Sequence, residues 1–101
     1  MATRNVFILG AYQTDFARNL NKESLGTEEL MRDTIKHTFN NAEIGPESIE
    51  CIHVANAFGQ LYTGQGHLGA MPASVVPELW GVPSSRHEAA CASSSVAVLA
   101  A

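Results

Sequence analysis

A chain of 101 residues with 46% hydrophobic residues holds one small domain, and its net charge of −4 sets six Lys and Arg against ten Asp and Glu. The basic residues are scattered, which argues against nucleic acid or a polybasic membrane contact as the main partner. No apolar run approaches the ~18 residues of a membrane span, and the run at residues 6–9 is too short for a signal peptide, so a cytoplasmic setting with two free thiols, Cys51 and Cys91, is expected.

Val6-Phe7-Ile8-Leu9-Gly10 is a continuous apolar run closed by glycine, the pattern of a parallel strand covered on both faces. Residues 11–26 read as polar and irregular, with Asn19, Asn21, Ser24 and Gly26 as turn formers. Thr27 is expected to cap a helix from about Glu28 to Asn41, with Leu30, Met31, Ile35, Phe39 and Ala42 as its core stripe. Glu28 and Glu29 suit the positive end of that helix, and Gly45-Pro46 stops it. Glu50 to Asn56 reads as a second strand, in which Cys51, His53 and Ala55 share one face. Two ligands do not make a zinc site, so no metal is expected there; His53 reads as structural and Cys51 as buried.

Residues 57–70 are glycine-rich, and Gly64 to Gly69 formally match a dinucleotide fingerprint as G-Q-G-H-L-G. These glycines do not follow the first strand, as such a site needs, and a flexible loop entering a helix at Gln65 or Gly66 fits better. Met71 to Trp80 reads as a helix with Pro72 in its first turn and a break at Pro77, and Gly81-Val82-Pro83 as a linker. Ser85 to Ala90 is the expected third strand. Cys91 to Ala101 opens a third helix, apolar on nearly all sides and therefore expected to be buried. The order β-α-β-α-β-α implies an α/β fold with a parallel sheet and right-handed crossovers.

Cys91 stands where the third strand passes into the third helix, and the free N–H groups and aligned dipoles of a helix start favour a negative charge. Ala92, Ser93, Ser94 and Ser95 leave the sulfur sterically open and offer hydroxyls and amides to an anion. Cys91 is therefore the candidate nucleophile, against the plain alternative of a small packed hydrophobe. His87 lies on the same strand face, but four strand residues at ~3.3 Å each put it ~13 Å away, beyond the reach of a base. His37 falls on the exposed side of a helix and His67 on the loop.

The C-A-S-S-S-V-A block behind H-E-A-A resembles the nucleophile segment of the thiolases, the acetyl-CoA acyltransferases, and is most like the sterol-carrier-protein-type and related bacterial branch. The opening V-F-I-L-G-A-Y-Q-T-D-F-A-R is similar to that family's first strand and following segment, and A-E-I-G-P-E-S-I-E-C-I-H-V-A-N matches in kind and order. Asp15 stands where the family pattern has proline, and Ser94 where it has glycine.

The resemblance implies that residues 1–101 form the N-terminal part of a first thiolase domain, within a mixed, mainly parallel sheet carrying helices on both faces. It implies that Cys91 is the acyl-accepting nucleophile, with its backbone N–H in an oxyanion hole, in thiolytic cleavage of a 3-ketoacyl-CoA or the reverse Claisen condensation. Coenzyme A enters as substrate, and no cofactor or metal is implied. A homodimer or tetramer meeting through the third strand is expected, with the accessory subunit left open, and the Gly64–Gly69 segment would lie near that interface. The family's N-E-A-F, G-H-P and C-x-G-G-G blocks, which bring the histidines and the second cysteine, are not in residues 1–101. The chain ends inside its third helix without a glycine or a polar turn, so a longer protein is expected. Two other functions compete: a non-catalytic thiolase-like interaction module and, more remotely, a nucleotide-binding half-domain.

Overall fold

The computed structural model describes residues 3–101. In chain order its elements are α1 (Thr27–Ala42), β1 (Ile52–Ala55), α2 (Gly59–Thr63), α3 (Met71–Val75), β2 (Ser84–His87) and α4 (Ser93–Ala100). Single 3-10 turns occupy Pro46–Ser48, Leu68–Ala70, Pro77–Leu79 and Ala90–Ala92. The two strands pair in parallel, in the register Ile52↔Ser84, His53↔Ser85, Val54↔Arg86 and Ala55↔His87. The result is a small mixed α/β fold.

The crossover between the strands supplies the core. Leu68, Met71, Val75, Val76 and Leu79 form one buried cluster, and Ile52 and Val54 of β1 with Met31, Ile35 and Phe39 of α1 pack against it half-buried. Strand side chains alternate between faces, so Ile52 and Val54 point to this cluster while His53 points away from it. Pro72 sits in the first turn of α3 as expected, and Pro77 ends that helix because the residue before a proline is driven out of the helical region. Val76 accordingly takes φ −129° and ψ 87°.

Four expectations are corrected. Val6–Gly10 forms no strand; Val6 and Ile8 are about nine-tenths exposed, and no ladder reaches them. The residues just beyond are tied to α1 instead: Asn41 donates a 2.8 Å hydrogen bond to the Ala11 carbonyl, and the Tyr12 ring stacks on His37 with centroids 4.5 Å apart. Gly10 lies so close to Ala42 that a Cβ would fall 2.7 Å from its atoms, so only glycine passes there. An apolar run shows that a segment would gain by burial, but not which element covers it. The radius of gyration, 14.3 Å, exceeds the ~13 Å usual for ~100 residues, in keeping with this projecting arm.

The third helix is likewise not buried all round. Only Ser93 and Ala97, one turn apart, are buried in α4, while Val98 and Leu99 are exposed, because the helix packs against β1 and β2 with a single face. Cys51, expected inside a strand, precedes β1 and is exposed. The third strand spans Ser84–His87 rather than reaching Ala90.

Smaller differences lie at helix ends and in the glycine-rich loop. The N-cap of α1 is Gly26, not Thr27, and its N–H donates to the Glu29 carboxylate at 2.8 Å. The helix ends at Ala42 with Glu43 in the left-handed region at φ 55°, ahead of Gly45-Pro46. Of the expected core stripe, Leu30 is exposed, and no residue of α1 is fully buried. The G-Q-G-H-L-G stretch ends α2 and opens the Leu68–Ala70 turn. There a Cβ on Gly69 would come within 3.1 Å of the Ser85 and Arg86 backbone, so this glycine serves helix-to-strand contact.

Two outcomes test this description. Leu68, 1% exposed, sits at the centre of the cluster, and Leu68→Ala is expected to cost ~2–5 kcal/mol in denaturant unfolding, far more than Leu61→Ala at an exposed site. Glu29 is the second. The Gly26 N–H, then its own backbone N–H, hold the Glu29 carboxyl below its ordinary value of 4.5. A depressed carboxyl contributes stability that is complete above the unfolded value and lost as pH falls through the folded one. Glu29→Gln keeps an acceptor that does not titrate, so helical ellipticity should fall less steeply below about pH 4.3 than in the wild type.

Candidate functional site

Beyond His87 the chain leaves the sheet abruptly. Ala90 adopts φ 50°, a left-handed conformation that costs a non-glycine residue on the order of 1–3 kcal/mol, and the Ala90–Ala92 turn then runs directly into α4. Cys91 sits on this turn and is exposed. The turn is held from below by Ser93, 5% exposed, whose hydroxyl accepts the Ala89 N–H at 2.9 Å and donates to the Ala90 carbonyl at 2.7 Å. The Ala92 N–H closes on the Ala89 carbonyl at 2.9 Å, and the Glu88 carboxylate accepts the Ala90 N–H. Among the described residues, the Cys91 N–H takes no part in these bonds.

This geometry alters the expected role of one neighbour. Ser93 does not offer its hydroxyl to an anion, because both of its hydrogen bonds are spent on the turn; Ser94 and Ser95 remain exposed. Ser93 is a positioning residue. The spacing C-x-S carries that signal only once the residues before the cysteine are known to turn rather than extend.

The strand geometry that separated His87 from Cys91 does not apply past residue 87, where β2 ends. His87 is engaged elsewhere. Its Nε2 lies 2.9 Å from His53 Nδ1, and the Ser85 hydroxyl lies 3.0 Å from His87 Nε2 and 3.3 Å from His53 Nδ1. The parallel register places His53 opposite Ser85 and two residues diagonal to His87 on one face. His53 is thus not a lone histidine. Both strands were legible as strands, but this pairing needs their register, which the sequence does not carry.

The remaining histidines are apart from the turn. His37 lies on α1, where Nδ1 is 2.9 Å from the Asp33 carbonyl and 3.1 Å from its carboxylate, and His67 precedes the Leu68–Ala70 turn. Among the described residues no histidine is hydrogen-bonded to Cys91, and no group of three or more His, Cys, Asp or Glu residues gathers as a metal set. Cys51 and Cys91 are both free. Among the described residues no helix is long and apolar enough to cross a membrane. Compared with protein-family models and with curated proteins, the chain finds no match.

Ser93→Ala removes the hydroxyl that satisfies Ala89 and Ala90 in a buried place. It is expected to cost ~1–3 kcal/mol in chemical denaturation. Amide exchange should accelerate at Ala89 more than at the β1 amides, whereas Ser95→Ala, at an exposed position, should leave both unchanged.

Proposed function

We propose that Cys91 is the nucleophile of a thiolase-type acyltransferase acting on acyl-CoA thioesters. The observation that carries this reading is the turn itself: an exposed cysteine follows a residue at φ 50° between a parallel strand and a helix. Strained strand-to-helix turns lift a nucleophile clear of a sheet, and the C-terminal edge of parallel strands is where open α/β sheets bind ligands. The start of α4 behind the turn favours negative charge, and the alanine and serine neighbours leave space for a thioester. The resemblance of C-A-S-S-S-V-A and the preceding segments to thiolases selects the reaction among those open to an exposed thiolate.

In the degradative direction the Cys91 sulfur adds to the 3-keto carbonyl, the bond between C2 and C3 breaks, and the departing acetyl-CoA carbanion takes up a proton. A CoA thiol then gives up its proton, its sulfur attacks the acyl-cysteine, and Cys91 is released. The Cys91 N–H, unused by the turn, would donate to the oxyanion. The proton-moving groups are not assigned to any residue here: by the same resemblance they come from the histidine and second-cysteine blocks that residues 1–101 do not carry. The reading includes a thiolase-like sheet with helices on both faces, a first-domain position for residues 1–101, and a cytoplasmic setting that keeps the thiols reduced.

An interaction module is the second reading, favoured by the exposed apolar residues Val6–Leu9, Val98 and Leu99. Both readings include a homodimer or tetramer formed through β2, whose outer edge is unpaired among the described residues. A two-fold centred on His87 would bring Arg86 towards Glu88 of the second copy. Within the chain the Arg86 guanidinium donates to the Asn56 carbonyl at 3.1 Å, and Glu88 follows the last residue of β2.

The test is covalent capture. The protein is incubated with a short acyl-CoA and analysed by peptide mass spectrometry, with Cys51 as an internal control because it too is exposed. An acyl group is expected on Cys91 in the wild type and in Cys51→Ser, and none in Cys91→Ser; equal labelling of both cysteines, or labelling of Cys51 alone, overturns the assignment. Residues 1–101 alone are expected to show no acetoacetyl-CoA turnover in the same preparation.

A further inference from the structure

We propose that the groove along the free edge of β1 is a docking slot for residues Val6–Gly10 of a second copy of this chain, so that two copies exchange their N-terminal arms. The groove encloses about 510 Å³, and every residue from Cys51 to Ala55 lines it, so it runs the length of the strand. Helix α1 walls it with Ile35 and Phe39, and α4 contributes Ser94. The strand edge it exposes is unmet. The Ile52 N–H donates to the Pro83 carbonyl at 2.9 Å and the Asn56 N–H to the His87 carbonyl at 3.1 Å, both towards β2. Alternate residues of a parallel strand turn their backbone groups to opposite neighbours, so Cys51, His53 and Ala55 face the other edge, where no strand pairs among the described residues. Half-buried backbone groups of that kind call for a partner strand.

The arm has the matching chemistry. Val6, Phe7, Ile8 and Leu9 are 68–92% exposed on both sides of an extended segment, and a run apolar on both faces suits a strand covered on both faces. Neither Val6–Gly10 nor the lining of the groove carries an Asp, Glu, Lys or Arg, so docking strands no charge away from water. The outer edge of β2 offers exposed Ser84 and Ser85 instead, a poorer cover for such a run. A second copy is the occupant because the root of the arm is fixed. Gly10 packs against Ala42, Asn41 holds the Ala11 carbonyl and Tyr12 stacks on His37, so the arm leaves its own body at the last turn of α1 and cannot reverse into its own groove without breaking these contacts. The molecule is accordingly 49 Å long against 29 and 28 Å across. A two-fold exchange covers both arms; at roughly 100 Å² for each of their large side chains, with as much groove surface covered in turn, on the order of 1,600 Å² leaves water, the size of a stable interface. Main-chain pairing supplies the rest, and the symmetry closes at two copies. The inference stands apart from the acyl-transfer reading, since Cys91 takes no part in it.

Light scattering of the purified protein over a concentration series, together with amide exchange at His53 and Ala55, tests the exchange of arms. The wild type should associate. Ile8→Asp sets a charge where the groove has none, and it should halve the mass of the wild-type assembly and weaken association at least tenfold. Its circular dichroism should match the wild type, because Ile8 is exposed in the single chain. Halving is the expected reading whether or not a contact through β2 is also present, since that contact survives the substitution. Val98→Asp, at an exposed apolar position outside the groove, should leave the mass unchanged. The His53 and Ala55 amides should exchange slowly in the wild type and fast in Ile8→Asp. A wild type that stays monomeric at the highest concentration, or an assembly whose mass Ile8→Asp leaves intact, overturns the proposal. Slow His53 and Ala55 amides in a monomer put the chain's own arm in the groove and overturn it equally.

Discussion

The packing of residues 68–79 against β1 and α1 is the constraint on which the other features rest. Two parallel strands of four residues each make too small a ladder to stand alone, and hydrogen bonds between them add little net stability per bond. Burying Leu68 and Leu79 contributes ~1.5–3 kcal/mol each by removal of apolar area from water. That burial fixes β1 through Ile52 and Val54, which in turn sets the register of β2 and the place where the chain leaves it.

From that departure point follows the chemistry. A cysteine on a loop of no fixed shape would be a thiol among many. Cys91 instead sits on a turn whose backbone is locked by a buried hydroxyl two residues later, at the end of a strand whose register the core determines. The local strain at Ala90 is tolerated because the structure on either side over-determines it. Alanine there, with no side chain beyond Cβ, also leaves the approach to the sulfur clear.

Much of this was legible in residue patterns, and the gaps have physical causes. The α1 helix, the strand around Ile52–Ala55, the break at Pro77 and the strand-to-helix site of Cys91 all follow from local rules of periodicity, capping and proline geometry. Coverage was not legible. Val6–Leu9 and Val98-Leu99 are as apolar as the true core, yet they lie exposed, while Leu68, beside a glycine-rich loop, is the most enclosed side chain of the fold's centre. Local sequence records how much a segment would gain by burial, and tertiary contact decides which segments obtain it. The pairing of His53 with His87 escaped for a related reason: residues 34 apart meet only through a register. Ser93 was misread because its exposure was inferred from size, not from the direction of the turn.

That the core lies inside the crossover between β1 and β2 bears on how the chain folds. Parallel strands are slow to pair because the loop between them must close before any ladder bond rewards it. Here the closing segment itself carries the core, since Leu68 through Leu79 packs on β1 and α1 without a side chain from β2. A ribosome emits Leu79 ahead of Ser84, so a nascent chain would carry a formed half-nucleus waiting for its second strand. The topology with the highest entropic barrier thereby becomes a short, sequential assembly in the direction of synthesis.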